Sequence, residues 1–350
     1  MPRPEETELR IGRTSLEDRV FVIAEIGANH EGSLNEAKRL IEAAARCGAD
    51  AVKFQTYRAE TIVAVTETQR RAHFKRLELS EQEFAALAQE AGNHGVVFLS
   101  TPFDRESADF LDGLMPAFKV ASGDLTATPL LAHIASKGKP ILLSTGMADI
   151  EEVLEAVRTI ERASPRGVGA PVVLLHCVSS YPTPDEQANL MAIPFLRNRA
   201  GRLVGYSDHT LGVEACHAAV ALGARVIEKH FTFDKGRTTF RDHQLSADPA
   251  DLSRLVAGIR RIEAMLGEAR KRPAAAESQN RLTMRRSLAA ACPIAKGETI
   301  TLEMLTVLRP GTGLAPSRMD DVVGLRAMRD LAAGELLTND AVEEVGTCVR

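Results

Sequence analysis

Eight strand-sized apolar runs alternate with helix-sized segments over the first 268 or so residues, and this alternation restricts the chain more than any other feature. The runs are VFVIAEI (20–26), DAVKFQT (50–56), GVVFLST (95–101), AFKVAS (117–122), KPILLST (139–145), PVVLLHCVS (171–179), RLVGYS (202–207) and ARVIEKH (224–230). Most are unbroken apolar stretches, the texture of parallel strands covered on both faces. Between them SLNEAKRLIEAAARCG (33–48), SEQEFAALAQEAGNHG (80–95) and DIEEVLEAVRTIERA (149–163) carry apolar residues at helical spacing. Ser33 and Ser80 stand where N-caps belong, and Gly48 and Gly95 where helices stop. Eight strand–helix units predict an α/β fold, a (β/α)8 TIM barrel of about 250 residues. A doubly wound open sheet is the alternative, since periodicity does not show closure.

The texture changes after residue 268. Residues 269–283 read as a charged, Ala-rich linker, and residues 284–350 as a β-rich module. In that module AKGETIT (295–301) and AAGELLT (332–338) resemble one another as turn-then-strand units. Its core would be thin if it stood alone.

Charge and composition exclude several classes. Lys and Arg total 43 against 47 Asp and Glu, a formal charge of −4, so neither nucleic acid nor an anionic membrane is expected as partner. No apolar run reaches transmembrane length, and the polar, acidic start MPRPEETELRIGRTSLEDR lacks the apolar stretch of a signal peptide. Five scattered cysteines (Cys47, Cys177, Cys216, Cys292, Cys348) read as reduced thiols of a cytoplasmic protein. With no Trp and three Tyr, a base-stacking surface is not expected.

In a parallel barrel, chemistry sits at the C-terminal strand ends, and polar residues recur there. The first strand ends at Glu25, which suits a general base, a metal ligand or a partner for a barrel lysine. Lys53 and Gln55 share one face of the second strand, where a buried ammonium needs an anion or an internal salt bridge with Glu25. Thr101 ends the third strand. Lys119 and Ser122 repeat the pattern at the fourth, and Ser144 at the fifth. Two lysines and these hydroxyls on one rim point to phosphate and carboxylate binding. The loop SSYPTP (179–184) presents Tyr181, or is a structural proline turn. GYSDHT (205–210) supplies Ser207 and His209, and IEKH supplies Glu228 and His230 on one face with Lys229 on the other. His209 and His230 could share a divalent cation, with Asp208 and Asp242 orienting the imidazoles.

Together, IAEIGANHEGS (23–33), KFQT (53–56), STPFD (100–104), KVASGDL (119–125), ILLSTGMA (141–148), LHCVSSYPTP (175–184), GYSDHT (205–210) and IEKHFTFD (227–234) resemble the strand-end motifs of the sialic acid synthase family. RRSLAA (285–290), KGETIT (296–301) and LRPGTGL (308–314) resemble its C-terminal antifreeze-like (SAF) domain. The resemblance spans about residues 20–345. It implies an enzyme that condenses phosphoenolpyruvate with an acetamido-sugar aldehyde and water, giving a nine-carbon α-keto acid and phosphate. It further implies a divalent metal, usually Mn²⁺ with Mg²⁺ or Co²⁺ as substitutes, and a domain-swapped homodimer. By position it implies that Lys53, Thr101, Lys119, Ser122, Ser144 and Ser207 bind phosphoenolpyruvate. His209 and His230 match the metal ligands and Glu25 the carboxylate beside them. Gln55, Tyr181 and Asp242 match residues facing the sugar, and Arg309 the arginine reaching it from the partner chain.

One segment departs from the family pattern. KGRTTFRDHQLS (235–246) keeps Asp242 and His243 but has Phe240 and Arg241 where the family often has Gly-Pro. This leaves open an N-acetylmannosamine-like acceptor or a diacetamido-trideoxyhexose of the legionaminate or pseudaminate type. Other readings are a synthase acting on a phosphorylated aldose, a metal-dependent aldolase splitting the keto acid, and a non-catalytic carbohydrate-binding protein.

Overall fold

Each of the eight apolar runs forms a parallel strand. In chain order they are β1 (Phe21–Gly27), β2 (Ala51–Thr56), β3 (Val97–Pro102), β4 (Phe118–Val120), β5 (Ile141–Ser144), β6 (Val172–Cys177), β7 (Leu203–Asp208) and β8 (Val226–His230). The computed structural model describes residues 9–165, 171–236 and 241–343. Cys348, Phe240 and the Arg241 side chain lie outside the described residues. The hydrogen-bonded order is β3-β2-β1-β8-β7-β6-β5-β4. β1 pairs with both β2 and β8, and β3 lies beside β4, the other end of that order. The sheet therefore comes round on itself as a nearly closed barrel, and the open doubly wound sheet is excluded.

A helix follows every strand: α1 (Leu34–Arg46), α2 (Glu81–Asn93), α3 (Arg105–Asp112), α4 (Thr128–Ala135), α5 (Ile150–Ala163), α6 (Ala192–Ala200), α7 (Glu214–Ala221) and α8 (Pro249–Leu266). Their starts are fixed by local chemistry. The Ser33 side chain accepts from the Glu36 amide, and Ser80 with Glu83 and Asp149 with Glu152 form reciprocal capping boxes. Gly48 (φ +87°) and Gly95 (φ +72°) take the left-handed conformation just beyond α1 and α2. The inner faces of the helices, such as Ala37, Leu40, Ile41 and Ala44 of α1, are buried. β7 carries one glycine in its middle, Gly205, between β6 and β8. A Cβ there would meet the Val226 carbonyl oxygen at 2.5 Å and Leu175 Cδ2 at 2.6 Å.

The chain divides into two compact units, Met1–Gly267 and Glu268–Arg350. In the second, β9 (Ser287–Ala290) pairs antiparallel with β10 (Leu305–Leu308) around a core that includes Leu288, Ile294, Ile300, Val322 and Leu337. The two similar segments of the sequence are related by an internal two-fold. Ile294 and Leu331, 37 residues apart, bridge each other, while Ala289↔Leu336 and Arg326↔Thr299 are equivalent bridges with the partners exchanged. The turns match as well. Gly297 (φ +84°) and Gly334 (φ +83°) both adopt positive φ, and Glu298 and Glu335 accept from the amides of Ala295 and Ala332.

Among the described residues no helix is long and apolar enough to cross a membrane, and Cys47, Cys177, Cys216 and Cys292 are free thiols. Because the Gly205 site has no room on either side, Gly205→Ala is expected to lower stability by about 1–3 kcal/mol through overpacking. Urea unfolding followed by circular dichroism measures this directly.

Candidate active site

Strand alternation sends every second residue near the C-terminal strand ends into one cavity of about 360 Å³. Glu25 (β1), Lys53 and Gln55 (β2), Thr101 (β3), Lys119 (β4), Ser144 (β5), Cys177 (β6), Ser207 (β7) and Glu228 with His230 (β8) all line it. The loops beyond add Phe103, Ser122, Gly123, Met147, Ser179, Tyr181 and His209. At β1 the register against β2 shifts between Glu25 and Gly27, so that Glu25 pairs with Lys53 and Gly27 with Phe54. This bulge, with Gly27 at φ +53°, turns the chain sharply above Glu25.

Two ammonium groups and two carboxylates meet at the centre, all at most 3% exposed except Glu228 at 5%. Lys53 Nζ lies 2.8 Å from Glu25 Oε2 and 3.7 Å from Glu228 Oε2, and donates to Thr101 Oγ1 at 3.2 Å. Lys119 Nζ donates to Ser144 Oγ at 2.7 Å and lies 3.9 Å from Glu228 Oε1. The Ser207 hydroxyl donates to Glu228 Oε1 at 2.8 Å, and Gln55 Nε2 to Glu25 Oε1 at 3.2 Å. The Ser122 hydroxyl accepts from the Gly146 amide. Glu25 Oε2 and Glu228 Oε2 are ion-paired to Lys53 without an aligned hydrogen bond.

The two carboxyls titrate far apart. Burial pushes Glu25 up to about 7, with Lys53 opposing and the neighbouring Glu228 charge adding to the rise. Burial acts on Glu228 as well, but Lys119, Lys53 and the Ser207 hydroxyl outweigh it and hold it down at about 2. Burial lowers Lys119, whereas at Lys53 the two carboxylates more than offset it. Environments that separate two carboxyls in this way assign one as a proton acceptor near neutrality and the other as a fixed anion.

The imidazoles of His209 and His230 sit 5.5 Å apart between ring centres, with the Tyr181 ring 4.1 Å from His209. His209 Nδ1 bonds the Val178 carbonyl at 2.8 Å, which leaves Nε2 free of that bond. Burial lowers both histidines and favours the neutral rings a metal needs. His230 Nδ1 is buried without a hydrogen-bond partner. Two neutral imidazoles, one with an orphaned ring nitrogen, suit a divalent cation. Among the described residues no set of three His, Cys, Asp or Glu side chains gathers as a metal site, so water or substrate oxygens would supply the other ligands.

The sequence reading is corrected at Asp208. This residue does not orient an imidazole; it points away from the cavity and binds Lys229, Tyr206, Thr210 and Cys216. The Val178 carbonyl holds His209 instead. Lys53 does form the internal salt bridge with Glu25 that the sequence left open. Asp242 is not among the described residues lining the cavity, and Arg309 belongs to the second unit, just after β10. Glu228, which strand alternation puts on the same face as His230, lines the cavity and joins both lysines there, a role that its sequence neighbours do not signal. Cys177, Ser179, Met147 and Phe103 also reach the cavity, and their residue types gave no such signal.

Residues 40–271 match the NeuB family and residues 285–343 the SAF domain. The chain is 42% identical over 339 residues to the N,N'-diacetyllegionaminic acid synthase of Legionella pneumophila, covering 92% of this chain and 94% of that protein. It is 32% identical over 358 residues to the N-acetylneuraminate-9-phosphate synthase of Mus musculus, covering 97% and 98%. A crystal structure of N-acetylneuraminic acid synthetase from Leptospira borgpetersenii superposes with a TM-score of 0.73 at 36% identity, over 78% of this chain and 95% of that one.

The raised Glu25 carboxyl has a consequence for stability. Between its ordinary value of 4.5 and about 7 the folded protein holds a proton that the unfolded chain has released. Glu25 therefore contributes stability below pH 4.5 that is lost as pH rises through 7. Relative to Glu25→Gln, wild-type protein is expected to lose on the order of 3 kcal/mol across that window. Denaturant unfolding of both metal-free proteins from pH 4.5 to 8 measures the difference; parallel curves would refute the assignment.

Proposed function

The chain belongs to the NeuB family, and from that premise we propose that it joins phosphoenolpyruvate to an acetamido-sugar aldehyde, yielding a nine-carbon α-keto acid and inorganic phosphate. The observation that carries this reading is the convergence of Lys53, Lys119, Thr101, Ser122, Ser144 and Ser207 with Glu25 and the two histidines in one cavity. An enol phosphate bears two anionic ends, a carboxylate and a phosphate. Lys53 and Lys119 match them as point charges, and the four hydroxyls complete their hydrogen bonds.

On this reading C3 of phosphoenolpyruvate forms the new bond to the aldehyde carbon. The carbonyl π pair moves to the aldehyde oxygen, which takes up a proton to become the new hydroxyl, and positive character develops at C2. Glu25 and Glu228 stabilise that charge at short range in a desolvated space. Water then adds to C2, and Glu25, poised near neutrality, takes its proton. The resulting tetrahedral intermediate loses phosphate by C–O cleavage, with Lys53 and Lys119 neutralising the departing charge. A divalent cation, Mn²⁺ with Mg²⁺ or Co²⁺ as substitutes, would be held by His209 and His230 and supplies a Lewis acid for the aldehyde oxygen when bound. Gln55, Tyr181 and Asp242 are assigned to the sugar. We assign Arg309 to the sugar bound by the partner copy of a domain-swapped homodimer, and the free thiols support a cytoplasmic setting.

For the acceptor, one observation favours a diacetamido-trideoxyhexose over N-acetylmannosamine. Identity to the legionaminic acid synthase is 42%, against 36% to the N-acetylneuraminic acid synthetase of known structure. Phosphate release and product mass spectrometry with both sugars and with phosphorylated aldoses test the reading. No phosphate from any acetamido sugar would sink it, and turnover of phosphorylated aldoses alone would replace it.

His230→Ala is expected to abolish metal-dependent phosphate release while leaving the circular dichroism spectrum unchanged. Arg309→Ala is expected to raise the sugar KM on the order of tenfold, as loss of a charged hydrogen bond does, and to leave the phosphoenolpyruvate KM nearly unchanged. Initial-rate kinetics with each substrate varied in turn distinguish this from an equal effect on both.

A further inference from the structure

The faces of β7 and β8 that turn away from the cavity carry a second buried ion pair that the proposed reaction does not use. Lys229 and Asp208 are each 1% exposed. They are cross-strand register partners, the last pair of the β7–β8 ladder, and each is followed directly by one of the two histidines. Lys229 Nζ donates to Asp208 Oδ2 at 2.7 Å and to the Thr210 carbonyl at 2.5 Å. Asp208 Oδ2 also receives the Cys216 thiol from α7, at 3.2 Å. Its Oδ1 receives the Tyr206 hydroxyl at 3.0 Å and the Thr210 amide at 2.8 Å.

The backbone on both sides of His209 is thus fixed. Asp208 precedes it, and Thr210 after it is gripped at its amide by Asp208 and at its carbonyl by Lys229. A buried ion pair is a poor source of stability, because desolvating two charges offsets their attraction and an apolar pair would serve as well. What the pair does enforce is register. A slip of one residue between β7 and β8 would separate Lys229 from Asp208 and turn His230 away from the cavity.

We propose that Lys229 and Asp208, with Tyr206 behind them, are positioning residues that lock β7 against β8 and so set the spacing of the His209 and His230 imidazoles for a divalent cation. The proposal rests on the reading of those two histidines as cation ligands. It differs from a direct hydrogen bond to a ligand because it acts through the adjoining backbone.

The test is Mn²⁺ titration of metal-free, full-length protein by calorimetry and by electron paramagnetic resonance, under conditions where circular dichroism shows each variant folded. Asp208→Asn keeps the shape and removes the charge; it is expected to weaken Mn²⁺ binding about tenfold or more, the range seen when support behind metal ligands is removed. Tyr206→Phe deletes one hydrogen bond to Asp208 and is expected to weaken binding in the same direction by less; it decides the matter if Asp208→Asn does not fold. In both, kcat at fixed Mn²⁺ is expected to fall further than the phosphoenolpyruvate KM rises. Folded variants that bind Mn²⁺ as tightly as wild type would overturn the proposal and leave the ligand reading standing. Wild-type protein that binds no Mn²⁺, or His230→Ala that binds it normally, would instead remove the ligand reading and the proposal with it.

Discussion

Two ammonium groups and two carboxylates, each almost fully buried, meet at the floor of one cavity, and the barrel mouth is organised around keeping that cluster balanced. An isolated charge there would be costly. The four together are tolerable because Lys53 bridges both acids and Lys119 leans on Glu228. The balance is uneven. Glu228 sits between both lysines and the Ser207 hydroxyl and stays ionised, while Glu25 has one close cation and sits near its titration point. On the proposed function a dianionic substrate entering this space would compete for the lysines, and Glu25, raised toward neutrality, would be the acid to yield. On that same reading the cluster serves as a counterion set that an anionic substrate would displace.

The period of two in a strand lets β7 and β8 do two jobs at once. Ser207, Glu228 and His230 face the cavity, whereas Tyr206, Asp208 and Lys229 face the helical layer. The inner set is incompletely hydrogen-bonded, as Glu228 Oε2 and the orphaned Nδ1 of His230 show. In the outer set Asp208 accepts four hydrogen bonds. Rigid support immediately behind a loosely satisfied site is what preorganisation requires.

What was legible in the sequence was local. Strand limits came within about two residues because each apolar run ends at polar or glycine residues, and the starts of α1 and α2 followed from Ser33 and Ser80. The residues assigned to the enol phosphate, Lys53 to Ser207, lie together because strand order and alternation jointly determine which side chains share a rim. The remainder depends on contacts between distant segments. Closure rests on β1 meeting β8 some two hundred positions later. The bulge between Glu25 and Gly27 leaves no compositional trace. Asp208 lay beside His209 in sequence and was expected to orient it, yet alternation sends it to Lys229. Glu228 could be placed on the correct face, but its partners could not be read until the lysines of β2 and β4 were brought round to it.

The internal two-fold of the C-terminal unit bears on how such a module can arise and be divided. The strand-like segment at 298–300 finds its backbone partners at 325–327, and the matching segment at 335–337 finds them at 288–290. Each half lends the other its edge, and neither closes its own hydrogen bonding. That is the topology produced when two copies of a self-associating peptide become joined end to end. Cutting the chain between the halves would leave two fragments with exposed edges that satisfy each other or aggregate.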